Sequence, residues 1–139
     1  MDQADLGAVA VIERETPSSW SARSLAEELQ IPRTIQCVAE SPEGEILGWY
    51  ACREVWPEGE LLKIAVKKLN RERGIGRFLL EHLFWELQKR KITCLFLEVR
   101  SGNHTALRFY EKNGFLHVGT RPGYYTDPPD SAMILKKDL

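Results

Sequence analysis

The chain is 139 residues long, 43% hydrophobic and 28% charged, with a formal net charge of -1. That length fits one domain, residues 1–139, able to bury roughly 68% of its unfolded surface. The charge argues against a nucleic-acid coat, and no apolar run approaches the ~18 residues of a membrane span. The acidic opening, Met1 to Gly7, lacks the basic and apolar regions of a signal peptide, so a cytoplasmic protein is expected.

Ala8 to Glu13 is short and apolar and stops ahead of Thr16-Pro17, which predicts a brief helix. A second helix follows, with Ser21 or Ser24 as its cap and Glu27 three residues after Ser24, as a capping box requires. Leu25, Ala26 and Leu29 form its apolar stripe, and Pro32 closes it. Thr34 to Glu40, Glu45 to Glu54 and Glu60 to Val66 read as strands. Turn chemistry at Ser41-Pro42-Glu43-Gly44 and Pro57-Glu58-Gly59 separates them, which predicts an antiparallel meander.

From Gly74 onward Ile75, Phe78, Leu79, Leu83, Phe84 and Leu87 recur at helical spacing, with Glu81, Glu86, Lys89 and Arg90 between them. Ile92 to Val99 is almost continuously apolar and reads as a central strand, so strand, helix and strand form a right-handed crossover. Asn103 is placed to cap a last helix, His104 to Lys112, which Asn113-Gly114 ends. Phe115 to Thr120 resumes extended structure, Arg121 to Asp130 reads as a loop with three prolines, and Ala132 to Lys136 gives a final strand. The expected fold is α/β: a mixed, mostly antiparallel sheet of about six strands with helices on both faces.

One stretch organises the chemistry. Leu61 to Leu80 runs from strand through a basic loop into a glycine-opened helix, and a helix start offers unpaired NH groups at the positive end of its dipole. Gly74 and Gly76 let the backbone approach an anion, while Arg71, Arg73 and Arg77, with Lys67 and Lys68, surround it with positive charge. A polyphosphorylated ligand is implied. The signature R-x-x-G-x-G lacks the Gly-Lys-Ser/Thr of a Walker loop, and the arginines flanking its glycines, with its place after the third strand, disfavour a dinucleotide site. Glu98, near the end of a buried strand, needs a partner or a cleft; an ion pair with Arg100 or Arg108 would satisfy it. Cys37, Cys52 and Cys94 share no ligand spacing and read as buried free thiols. His82, His104 and His117 have none either, so no metal is expected.

The stretches ELLKIAV, RERGIGRFLLEHLFWEL, CLFLEVRSGNHTALRFYEKNGF and RPGYY resemble, in order and spacing, the GNAT acyl-CoA N-acyltransferases, and among them the RimI-type ribosomal-protein alanine N-acetyltransferases. The resemblance runs from about Trp20 to the end. It implies that Ile64, Ala65 and Val66, the run Glu72, Arg73, Gly74, Ile75, Gly76 and Arg77, and Asn103 contact acetyl-CoA. It also implies that Glu98 is the general base and Tyr110 the general acid. Core packing of Ile64, Val66 and Tyr110 and simple helix capping by Asn103 are compatible with those roles. Tyr124 and Tyr125, after the turn-prone Pro122-Gly123, are expected on a surface hairpin near the acceptor. The implied acceptor is the N-terminal alanine of a small-subunit ribosomal protein. A small amine or a lysine, or acyl-CoA binding without catalysis, are the alternatives. Gly123, Lys67-Lys68 and Lys63 stand where the family usually has asparagine, an acidic residue with proline, and asparagine. The short N-terminus puts the family's first strand in doubt.

Overall fold

The computed structural model describes residues 1–139. Two helices, α1 (Leu6–Glu13) and α2 (Ala22–Glu28), precede the strands β1 (Thr34–Glu40), β2 (Ile46–Val55) and β3 (Glu58–Val66). Then come α3 (Ile75–Lys89), β4 (Cys94–Arg100), α4 (His104–Lys112), β5 (Leu116–Thr126) and β6 (Pro129–Asp138). The six strands form one mixed sheet in the order β1-β2-β3-β4-β6-β5, with only the β3–β4 pair parallel. The first strand of that sheet follows two helices, and the Met1 ammonium lies 3.1 Å from the Gln36 carbonyl on edge strand β1.

Strand alternation divides the core in two. On β2, Tyr50 and Cys52 join Leu79, Leu80, Leu83 and Leu87 of α3, while Trp49 and Ala51 face Val9 and Ile12 of α1 and Leu25 of α2. Helices thus cover both faces, as the patterning predicts. The register slips between Ala51 and Cys52, where Leu62 of β3 has no opposite number, so Leu62 and Lys63 both turn toward α1.

Several local expectations are corrected. Arg121–Asp130 is a hairpin rather than a loop, because β5 continues through a bulge at Pro122 to Tyr124 and turns back between Thr126 and Pro129. The prolines sit on an edge strand and in its turn, where no ladder NH is needed. Ser21 alone caps α2, taking the Ser24 NH at 3.1 Å, so the Ser24–Glu27 box does not form. Phe78 is 63% exposed, and Leu80 takes the buried position expected of it.

Cys52 is fully buried, and burial pushes its thiol from an ordinary 9.0 up to about 12. Above pH ~9 the unfolded chain releases that proton while the folded chain keeps it. The native state then binds more protons, and stability falls by up to ~1.4 kcal/mol per pH unit. Cys52→Ala should therefore melt lower near neutrality yet lose Tm less steeply as pH rises from about 9 toward about 12; thermal unfolding followed by circular dichroism checks this.

Candidate active site

β3 and β4 pair over three positions only, Glu58 with Cys94, Gly59 with Leu95 and Glu60 with Phe96, and then diverge. The divergence leaves the second half of β3 with an unsatisfied edge. Lys67 N donates to Leu47 O of the neighbouring chain at 2.7 Å. Since NH groups alternate along a strand, Ala65 also faces β2, while Ile64 and Val66 turn theirs into the gap. Their side chains pack toward α3, so core packing and an open backbone edge coexist.

At the wide end of the gap the chain turns into α3. Glu72 and Gly74 adopt the left-handed conformation, with φ of 63° and 80°. No side chain caps α3, and the first bond of the helix runs from Phe78 N to Gly74 O at 3.0 Å. Six successive NH groups, Glu72 to Arg77, therefore have no acceptor within the chain. Such a run is an anion-binding concavity, reinforced by the helix dipole. Gly74 is required for its backbone angle, since an added Cβ would meet nothing, whereas at Gly76 a Cβ would stand 3.1 Å from Phe109 Cζ of α4. This cradle has the form that the polyphosphorylated ligand implied by the sequence would require.

The surrounding cations divide differently from their expected roles. Arg71 donates to Val66 O at 3.1 Å and Glu15 O at 3.2 Å, fastening the loop to β3 and α1. Lys67 pairs with Glu45, and Arg77 with Glu81 at 3.0 Å. Arg73 and the Lys68 ammonium are exposed and make no ion pair within the chain. Asn103 caps α4, its side chain accepting the Ala106 NH at 3.2 Å, and stands at the same open end.

Glu98 lies on the α1 side of β4, half-buried, with an exposure of 27%. Its partner is neither Arg100 nor Arg108: Arg121 of β5 forms an ion pair with it, Nε lying 3.1 Å from Oε1. Arg100 instead donates to the Pro128 and Asp127 carbonyls, at 2.8 and 3.3 Å, and holds the hairpin turn. Glu98 and Arg121 share a cavity of about 290 Å³ with Glu58, Glu60, Phe96 and Ile134, where the strands begin to part. A larger cavity, about 480 Å³ beneath α1, contains none of these residues.

Tyr110 comes from α4, on the opposite side of the sheet. Its ring packs edge-on against Phe115 at 5.4 Å, and its hydroxyl, though unbonded within the chain, is not among the polar atoms sealed from solvent. Burial pushes the phenol above its ordinary range. Tyr124 and Tyr125 cross edge to face at 5.1 Å beside the cavity, the Arg100 guanidinium lying 4.0 Å over the Tyr125 ring and Arg121 5.6 Å from Tyr124.

Residues 8–115 match the acetyltransferase (GNAT) family. The chain is 34% identical over 138 residues to the [ribosomal protein bS18]-alanine N-acetyltransferase of Escherichia coli strain K12, covering 97% of this chain and 92% of that protein. The crystal structure of the ribosomal-protein-S18-alanine N-acetyltransferase from Escherichia coli superposes with a TM-score of 0.90 and 33% identity, covering 100% of this chain and 90% of that one. A Bacillus anthracis acetyltransferase in complex with acetyl coenzyme A shares the fold, with a TM-score of 0.74 and 23% identity over 82% of this chain and 67% of that one.

Proposed function

The chain belongs to the GNAT acetyltransferase family, and from that premise we propose that it acetylates the N-terminal α-amine of a protein, with the N-terminal alanine of a ribosomal protein as acceptor and acetyl-CoA as donor. The observation that supports this best is the gap between β3 and β4, with unpaired NH groups along its edge and at its open end and Glu98 at its narrow end. The acceptor is named from the bS18-alanine N-acetyltransferase, to which nearly the whole chain aligns. A ribosomal acceptor places the reaction in the cytoplasm; no helix is long and apolar enough to cross a membrane.

In this reading the NH groups of Glu72, Arg73, Gly74, Ile75, Gly76 and Arg77 hold the diphosphate, and the edge formed by Ile64, Ala65 and Val66 aligns the amide-rich arm. Asn103 approaches from the start of α4. Bound acetyl-CoA supplies an acetyl group activated as a thioester. Of the two NH groups turned into the gap, one can donate to the carbonyl oxygen as negative charge develops there. Glu98, directly or through a water, takes a proton from the acceptor ammonium and frees the nitrogen lone pair. As the new C–N bond forms and the C–S bond breaks, the Tyr110 hydroxyl gives a proton to the leaving sulfur, while the nitrogen loses its second proton to water and the tyrosine regains one from solvent. Burial keeps that phenol protonated through the neutral range, and since a thiolate is ordinarily the weaker base, the transfer relies on the sulfur being equally desolvated beside it. Tyr124 and Tyr125 line the acceptor's approach.

A panel of peptides differing only in their first residues, assayed with acetyl-CoA for release of free thiol, tests the assignment. Preferred turnover of peptides beginning with alanine is expected. Turnover of polyamines or internal lysines instead would overturn the acceptor, and cofactor binding without thiol release on any amine would overturn the enzyme reading.

A further inference from the structure

We infer that Arg121 is a positioning residue for the reaction, holding the Glu98 carboxylate in the geometry that proton transfer requires; this rests on the reading of Glu98 as the base. Glu98 projects from β4 into a cavity whose β4 and β6 walls include Phe96, Leu97 and Ile134, none of which can hydrogen-bond a carboxylate side chain. A glutamate side chain left to itself there retains several rotamers, only some of which point an oxygen at an acceptor nitrogen in the gap.

Arg121 removes that freedom. Its guanidinium contacts Oε1 at 3.1 Å and leaves Oε2 open to a proton. The arginine's backbone is itself fixed. It is paired with Ala132 of β6, immediately before the register shift, and Gly123 inside the bulge has a φ of 63°. Its guanidinium also lies 5.6 Å from the Tyr124 ring. The other charged groups on this side, Glu58 and Glu60 of β3, Arg100 of β4 and Lys136 of β6, form no ion pair with Glu98, the lysine pairing with Asp138 instead. Arg121 is the one cation bonded to it. The pair is more than a quarter exposed on one side and more than half on the other, so little folding stability is at stake in it. A contact of small stabilising value, placed on the proposed base and inside the cavity, fits a role in orientation.

The test uses the full chain, acetyl-CoA and an alanine-starting acceptor peptide, comparing Arg121→Gln, Arg121→Lys, Glu98→Gln and the Glu98→Gln/Arg121→Gln pair. Arg121→Gln is expected to lower kcat about 10- to 100-fold, the scale of a misplaced catalytic group, with KM for acetyl-CoA unchanged. Arg121→Lys should recover most of that loss, because an ammonium can still reach the carboxylate. The double variant should be no slower than Glu98→Gln alone. A raised peptide KM at unchanged kcat in Arg121→Gln would overturn the inference and assign the arginine to acceptor binding. Full activity of Glu98→Gln would remove the base itself. An inactive Glu98→Gln beside a fully active Arg121→Gln would leave the base in place and refute its positioning by Arg121.

Discussion

Glu98→Gln is expected to lower turnover on an alanine-starting peptide by about 100- to 10,000-fold, the usual contribution of a positioned acid or base. An unperturbed α-amine has a pKa of roughly 7.7 to 8.0, so near neutrality much of the acceptor arrives protonated and has no lone pair to attack with. Glutamine keeps the size and polarity of the side chain but cannot take the proton. Acetyl-CoA should bind as before, because the groups proposed to hold it, Ile64 to Val66 and Glu72 to Arg77, lie away from this side chain along β3 and at the start of α3. Calorimetric titration with acetyl-CoA and thiol release from the peptide separate the two effects. A second signature follows from the same chemistry: the variant should regain part of its rate as pH rises through about 8, where the acceptor loses its proton to water. Wild-type turnover by the variant at neutral pH would show that another group, or solvent, removes the proton.

The elements of this site are legible in the amino-acid sequence because each has a local cause. Gly74 and Gly76 mark a helix start that needs an unusual backbone angle and a close approach, Asn103 is a helix cap in both the sequence and the structure, and the alternation of β2 sorts its side chains onto two faces. What local pattern does not carry is pairing across the sheet. Arg121 and Glu98 are joined only because β5 and β4 flank β6, an order that no short stretch specifies. The hairpin of Arg121 to Asp130 was obscured for a related reason. Three prolines look like a loop unless the strand is known to lie at an edge. The arginines of the cradle are likewise ambiguous in sequence, since Arg71 and Arg77 spend their donors on the chain's own carbonyls and on Glu81.

Lys63→Met is expected to cost about 3 to 5 kcal/mol of folding stability, the range for removing one partner of a buried ion pair. Glu13, at the end of α1, is 1% exposed and Lys63 only 13%. The Glu13 carboxylate accepts from Trp20 N at 3.0 Å and Trp49 Nε1 at 3.3 Å, but its one cation is the Lys63 ammonium, 3.5 Å away. That ammonium also donates to Ser18 O at 2.8 Å and Thr16 Oγ1 at 3.3 Å, so it fastens the α1–α2 connection to β3. Methionine fills the volume but leaves a buried carboxylate without a counter-charge, and burial already pulls the lysine's own pKa down while Glu13 holds it up. Against a typical total of about 5 to 15 kcal/mol, the loss should lower Tm by on the order of 10 °C. Glu13→Gln/Lys63→Met should be more stable than Lys63→Met alone, because a neutral amide needs no cation and still accepts from one of the two tryptophan NH groups, a smaller loss than an unpaired buried charge. Lys63 immediately precedes Ile64, and Glu15, two residues past Glu13, binds both Lys68 N and Arg71. Loosening the pair should therefore also raise KM for acetyl-CoA, and saturating acetyl-CoA should return part of the lost Tm by binding only the folded chain. Equilibrium unfolding with and without acetyl-CoA measures both effects; a Lys63→Met variant within about 0.5 kcal/mol of wild type would show that the buried charge is compensated elsewhere.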